Sequence, residues 1–378
     1  MSFINTIPDF ERSLDKNVVQ QIEHFFIKVN ERILYKMGVL PSYDTGGDAA
    51  LGLDVEYFHF NITGDDRMRY MGQNVVLEDH LSDRNKFCNA VITHLYGGRC
   101  INSLLSGKTD PKKAHLDYER INTDPVYVQW MYENAAYAKL HGYKFYGTTE
   151  LHTSLQTAAR NFVRHKYSEP DKAASNTDIV EWVAGWISSG LVDDILSSKH
   201  LSEVYAKINT LPGIGAYYGY HLSVDSSLIP GTLYHHDEPF CVPGPGCCIT
   251  LDMMFPTLKA ATKKMPYGEL ICWIEQNQKK LYPRVPFHEA LWNLKNDVTG
   301  KKVFSFEQDK FMVYGLEVGH CQYGIYDRLT KHPNLIEKRR CGTDPSLSAI
   351  KAREEGKPVE FSTKNEKANT NATCLLEF

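Results

Sequence analysis

Apolar residues recur at helical spacing along most of the chain. Between residues 18 and 34, Val18, Ile22, Phe25, Phe26, Val29 and Ile33 fall on one face, and Gly38 and Pro41 close the segment. Ser82 to Tyr96 repeats the pattern with Phe87, Ala90, Val91 and Leu95 behind a Ser82 cap. The same reading predicts helices at Pro125 to His141, Glu150 to His165, Asp178 to Ser188, Ser202 to Asn209, Gly268 to Lys279, Phe287 to Asn296 and Asp309 to Leu329. In the last, Phe311, Tyr314, Val318, Cys321 and Ile325 form one stripe. Strand-like alternation is confined to Val55 to Asn61. The expected fold class is therefore mostly α. Residues 1–335 are expected to form the folded domain, and the polar, charged stretch 336–378 a loosely attached tail.

Composition narrows the function classes. With 378 residues, 42% of them hydrophobic, the chain can bury a large core. The formal net charge of -4 argues against a basic coat for nucleic acid, although a local positive surface is compatible with it. The first residues lack the basic and apolar segments of a secretory signal, and no apolar run approaches the ~20 residues of a membrane span. Nine cysteines occur without a Cys-x-x-Cys pair. A reducing, cytoplasmic setting with no membrane partner is expected.

One turn carries candidate chemistry. Leu211-Pro212-Gly213-Ile214-Gly215 lies between two predicted helices, the second opening with Ala216-Tyr217. Two glycines let backbone approach a ligand closely, and the amides that open a helix can hold a phosphate without a basic side chain. The plainer alternative is a helix connection whose glycines only permit close packing.

This string resembles the hairpin of the helix-hairpin-helix DNA glycosylase superfamily. The resemblance implies a bundle of two helical lobes with a cleft between them, with the hairpin at 202–226 gripping double-stranded DNA through Leu211, Gly213, Ile214, Gly215 and Tyr217. In that superfamily an acidic residue follows on a loop facing a flipped nucleotide. The corresponding window here is Tyr234-His235-His236-Asp237-Glu238, with Asp237 the best match. Bifunctional members carry a Schiff-base lysine two residues past the second glycine, where this chain has Tyr217, so that lyase chemistry is not expected. Hairpin carbonyls in related proteins can also hold a potassium or sodium ion; no other cofactor is implied.

Three further strings resemble a narrower group. They are Phe58 to Tyr70 with Asp66-Arg67, Val242-Pro243-Gly244-Pro245-Gly246, and Cys321-Gln322-Tyr323 with Tyr326 and Arg328. Together they resemble the glycosylase-related proteins of phage thymine hypermodification. That group comprises the amino acid:DNA transferases, or α-glutamyl/putrescinyl thymine pyrophosphorylases, and the helical domain attached to some 5-hydroxymethyluracil DNA kinases. The last block departs from the group's pattern, with Gln322 in place of an acid and Ile325 in place of a lysine.

The resemblance implies transfer of an amino acid or polyamine nitrogen onto the C5 methylene of phosphorylated 5-hydroxymethyluracil in DNA, with loss of (pyro)phosphate. A separate 5-hydroxymethyluracil DNA kinase would supply that substrate. Such chemistry needs an unstacked base, a proton acceptor for the amine and positive charge or amides for the leaving group. Asp237 and His236 would take the proton, Asp66 would position Arg67 or the amine, and Arg67, Arg69, Gly244 and Gly246 would hold the phosphate. A glycosylase that removes a modified base, and a DNA-binding module without catalysis, are the competing readings. Asp66 and Arg67 also read as an ordinary surface ion pair, and His235 and His236 as turn residues.

Two other signals do not hold. Ser106-Gly107-Lys108-Thr109 ends like a phosphate-binding loop, but Asn102 stands where its first glycine belongs. His235, His236, Asp237 and Cys241 lack a second cluster at metal-ligand spacing, so no metal is expected.

Overall fold

The computed structural model describes residues 10–51, 66–96, 101–108, 110, 113–140, 145, 153–168, 177–227, 229, 239–291 and 311–333. Among the described residues every regular element is helical and there is no strand. Val55 to Asn61 and the 336–378 stretch lie outside them. The chain divides into two compact units.

One unit is discontinuous in sequence. It joins α1 (Lys16–Lys36) to α12 (Pro245–Met254), α13 (Pro256–Ala261), α14 (Tyr267–Leu281) and α15 (Val313–Lys331). Asp15 caps α1, its side chain accepting from the amides of Asn17 and Val18 at 2.9 and 3.3 Å. Gly38, at φ +72°, ends it as the glycine signal predicts. The apolar face of α1 is fully buried at Ile22, Phe25, Phe26 and Val29. Phe26 sits edge-on to Tyr282, Phe311 and His320 with ring centroids 5.2 to 5.5 Å away, an arrangement that favours aromatic pairs. Helices α12 and α15 meet closely because small residues line their seam. A Cβ on Gly246 would lie 2.5 Å from Cys321 Sγ, and one on Gly324 would lie 3.1 Å from Thr250 Oγ1.

Two expected helices differ in the structure. Phe287 and His288 are not helical, and the described part of that segment is a single 3-10 turn at Glu289–Leu291. Pro286 removes a backbone donor just before it, and His288 Nδ1 accepts from the Ala290 amide at 3.1 Å instead. Phe311 precedes α15 rather than lying on it. Its amide and carbonyl are both taken by the Gln278 side chain, at 2.6 and 3.0 Å.

The other unit spans α2 (Asp66–Met71), a π-helical stretch at Gly72–Val76, α3 (Asp83–Tyr96), α4 (Ile101–Ser106), α5 (Tyr118–Thr123), α6 (Pro125–Leu140), α7 (Thr153–Tyr167), α8 (Asp178–Ser188), α9 (Leu191–Leu196), α10 (Leu201–Ile208) and α11 (Ala216–Ser226). Ser82 caps α3 as expected, its hydroxyl accepting from the Asn85 amide at 3.2 Å. Helix α3 is the centre of this unit, buried from Asn85 to Tyr96 on all sides. Its buried asparagines are satisfied internally. Asn89 Nδ2 donates to the Leu116 carbonyl at 2.8 Å and its Oδ1 accepts from the Leu116 amide at 3.0 Å, while Asn85 Oδ1 accepts from the Tyr118 amide. Such pairing is what allows amides inside a core.

Ser106-Gly107-Lys108 is the end of a helix. Gly107, at φ +60°, follows α4, and a Cβ there would lie 3.1 Å from the Asn134 side chain. A phosphate-binding loop would instead open a helix, so this segment is not one.

Candidate functional site

The glycine turn joins α10 to α11 as the sequence predicts, and its two glycines do different work. Gly213 has φ +82°, a region that disfavours side chains, and a Cβ there would lie 2.7 Å from the Ser154 carbonyl oxygen and 2.8 Å from Leu155 Cα. Ser154 Oγ also donates to the Gly213 carbonyl at 3.4 Å. Gly213 is therefore needed to seat the turn on the start of α7. Gly215 is the N-cap of α11, exposed, with φ -87° and no atom within 4 Å of where a Cβ would stand. Ile214 is buried, and Leu211 and Tyr217 are half-buried. The exposed residues of the turn are Pro212, Gly215 and Ala216, the last two where α11 begins.

These two glycines separate packing from ligand contact. Gly213→Ala is expected to lose about 2–4 kcal/mol of stability, combining left-handed strain with backbone overlap. Gly215→Ala should stay within about 1 kcal/mol of the wild type, as N-cap changes do. Urea denaturation measures both. DNA affinity lost in Gly215→Ala at intact stability then reports contact at the turn.

Beneath the turn lies a buried polar strip that sequence reasoning missed. Tyr217, His221 and Asp225 recur every fourth residue of α11 and so share one face. The Tyr217 and His221 rings are 4.2 Å apart, and His221 is 5.7 Å from the ring of His94 on α3. His94 Nδ1 lies 2.7 Å from Asp225 Oδ2, with both side chains almost fully buried. The i, i+4, i+8 spacing was visible in the sequence, but the partner on α3 was not.

In the other unit, Gly244 and Gly246 open α12. Gly244 is its N-cap, and its amide donates to Glu317 Oε1 at 2.9 Å. Glu317 is fully buried, and loss of hydration pushes its carboxyl up to about 7, with the Gly244 amide pulling the other way. Around it stand Cys247 and Cys248 on α12 and Cys321 on α15. Burial holds all three thiols up, Cys248 to about 11 and Cys321 to about 12, so none is a thiolate nucleophile near neutral pH. One helical turn on, His320 is neutral, lowered to about 4 by burial. Its Nδ1–H donates to the Leu316 carbonyl at 2.6 Å and its Nε2 accepts from Tyr282 at 2.8 Å. Glu317 stands five residues before Gln322 on the same helix, against the glycine loop.

Of the other expected site residues, Asp66, Arg67 and Arg69 lie on α2. His235, His236, Asp237 and Glu238 lie outside the described residues. Among the described residues no group of three or more His, Cys, Asp or Glu is placed to hold a metal ion, and no helix is long and apolar enough to cross a membrane.

Among the described residues the architecture is all-helical, with a glycine turn joining α10 to α11. Comparison with known families goes further. The family model described as "5-hmdU DNA kinase, helical domain" matches residues 122–334, more than half of the 378-residue chain, and the chain belongs to that family, which is related to thymine hypermodification. Neither the curated proteins nor the solved structures give a match.

Proposed function

We propose that this chain is a DNA-modifying transferase acting on phosphorylated 5-hydroxymethyluracil in double-stranded DNA. The family match carries the reading, because residues 122–334 take in the turn at 211–215, the acidic window at 235–238, the Gly244-Gly246 loop and Glu317. The exposed opening of α11 supports it, since helix-opening amides suit a phosphate in a chain with net charge -4.

In this proposal the base leaves the stack and its C5 methylene meets an amino acid or polyamine nitrogen. A bond forms from that nitrogen to the methylene carbon, and the carbon–oxygen bond to phosphate breaks, its electron pair leaving with the (pyro)phosphate. Asp237, helped by His236, takes the proton lost by the nitrogen. Arg67 and Arg69 receive the charge developing on the leaving group, and Asp66 orients Arg67 or the amine; the Gly244 amide, which already donates to Glu317, takes no part. The kinase that makes the substrate is a separate functional partner. No cofactor enters the scheme, though the turn's carbonyls can take a monovalent cation.

The test incubates the protein with DNA carrying phosphorylated 5-hydroxymethyluracil and a mixture of amino acids and polyamines, followed by nucleoside digestion and mass spectrometry. A heavier thymidine analogue is expected. Abasic sites would instead identify a glycosylase, and unchanged DNA a binding module. Asp237→Asn should lower transfer by about 100-fold or more, in line with loss of a general base; transfer at the wild-type rate removes Asp237 from the scheme.

A further inference from the structure

The turn rests on α7, and α7 carries an unusual charge pattern. Its sequence, TSLQTAARNFVRHKY, contains Arg160, Arg164 and Lys166 and no acidic residue, although the whole chain is acidic. Arg160 and Arg164 are four residues apart, so their side chains are neighbours on one face, shared with the exposed Thr157. That face is turned away from Leu155, Ala159 and Val163, the buried stripe of the same helix.

The two arginines also differ from three others in the fold. Arg84, Arg120 and Arg284 are each held by a carboxylate, from Asp193, Asp124 and Glu23. Arg160 and Arg164 have no such partner among the described residues, and the Nε of each is shielded from solvent without an acceptor. Shielded donors left unmatched are costly, more so when charged. Basic residues in a last helical turn complement the helix dipole, which accounts for Arg164, His165 and Lys166. It does not account for Arg160 in mid-helix. A guanidinium that no carboxylate holds is a donor for a phosphate oxygen through its terminal nitrogens.

Placement identifies which phosphates. Helix α7 begins where Gly213 touches Ser154 and Leu155. Arg160 and Arg164 follow about 9 and 15 Å further along the helix at its ordinary rise. A DNA strand advances about 3.4 Å per phosphate along its axis, so several phosphates fall within that span. We propose that Arg160 and Arg164 on α7 bind the DNA backbone beside the turn, extending its grip by one or two phosphates. This rests on the reading of the turn as a DNA-binding element.

The experiment measures affinity for a fluorescently labelled, unmodified duplex by anisotropy between about 50 and 200 mM salt. Arg160→Gln with Arg164→Gln is expected to bind about tenfold more weakly at the lowest salt. The slope of log affinity against log salt should become shallower by about 1 to 2, the signature of one or two lost phosphate contacts. The melting temperature should hold. A wild type that binds, with an unchanged slope in the double variant, overturns the arginine proposal while leaving the turn's role standing. A wild type that does not bind DNA overturns both. If the double variant does not fold, Arg160→Lys and Arg164→Lys are read singly. Each keeps the charge and loses the fork, so affinity at least threefold weaker at constant melting temperature supports the proposal, and unchanged affinity overturns it.

Discussion

Asp225→Ala is expected to lower the unfolding free energy by about 2–3 kcal/mol, the usual effect of leaving a buried polar group, here the His94 imidazole 2.7 Å away, without its neighbour. Asp225 is 1% exposed and His94 3% exposed, so water cannot replace the lost carboxylate. The contact also ties α11 to α3, the buried centre of its unit, and α11 carries the start of the turn's second helix. Asp225→Asn keeps the size and one acceptor oxygen, and should lose less than half as much. Urea denaturation followed by circular dichroism decides the matter. A fall in midpoint at constant slope is the expected form, since the surface exposed on unfolding is unchanged. A loss below about 1 kcal/mol in the alanine variant would show that the 2.7 Å contact is energetically idle.

This pair also marks a limit of what apolar pattern can reveal. The helix at 82–96 is legible from Phe87, Ala90, Val91 and Leu95, yet nothing in that stripe shows that the helix is buried on every side. Its other faces are Asn85, Asn89, Thr93 and His94, which look solvent-directed until their partners at Leu116, Tyr118 and Asp225 are known. Helix α1, with one clear stripe, was readable to within two residues at each end. Short ones such as α2, α4, α5, α9 and α13, at six residues each, are too brief for a period of 3.6 to register.

The candidate site was legible in the same uneven way. The turn stood out because Pro-Gly-Ile-Gly is local chemistry, read from adjacent residues. The split between a packed Gly213 and an open Gly215 depends on α7, nearly sixty positions upstream, and so has no local signature. Glu317 was hidden for a further reason. A carboxylate on a helix normally faces water, and only the Gly244 amide, 73 residues away, shows that this one is inside.

Glu317→Gln is accordingly expected to stabilise the protein in mildly alkaline solution. The sign follows from the shift. A buried carboxyl raised to about 7 is neutral in the folded state well above the pH at which it ionises in the unfolded chain. Its contribution is fully favourable below the unfolded value, near 4.5, and is lost as pH rises toward 7. A displacement of that size corresponds to about 3 kcal/mol of stability given up by the wild type at pH 8. Glutamine retains the oxygen that receives the Gly244 amide and cannot ionise. The variant's stability should therefore be nearly flat between about pH 5 and 8 where the wild type declines, and should exceed it at pH 8 by about 2–3 kcal/mol. Glu317→Ala is the contrasting case, leaving the Gly244 amide unmatched and a cavity between α12 and α15, and it should be destabilised at every pH. The groups facing Glu317 from those helices are thiols held protonated, so they add no charge of their own in this range. Paired pH series of urea midpoints for wild type and both variants measure the effect. Parallel wild-type and glutamine curves would show that Glu317 does not titrate in this window. A glutamine variant that is more stable yet slower on modified DNA would mean that the buried acid is kept for chemistry at the Gly244-Gly246 loop, against the interest of stability.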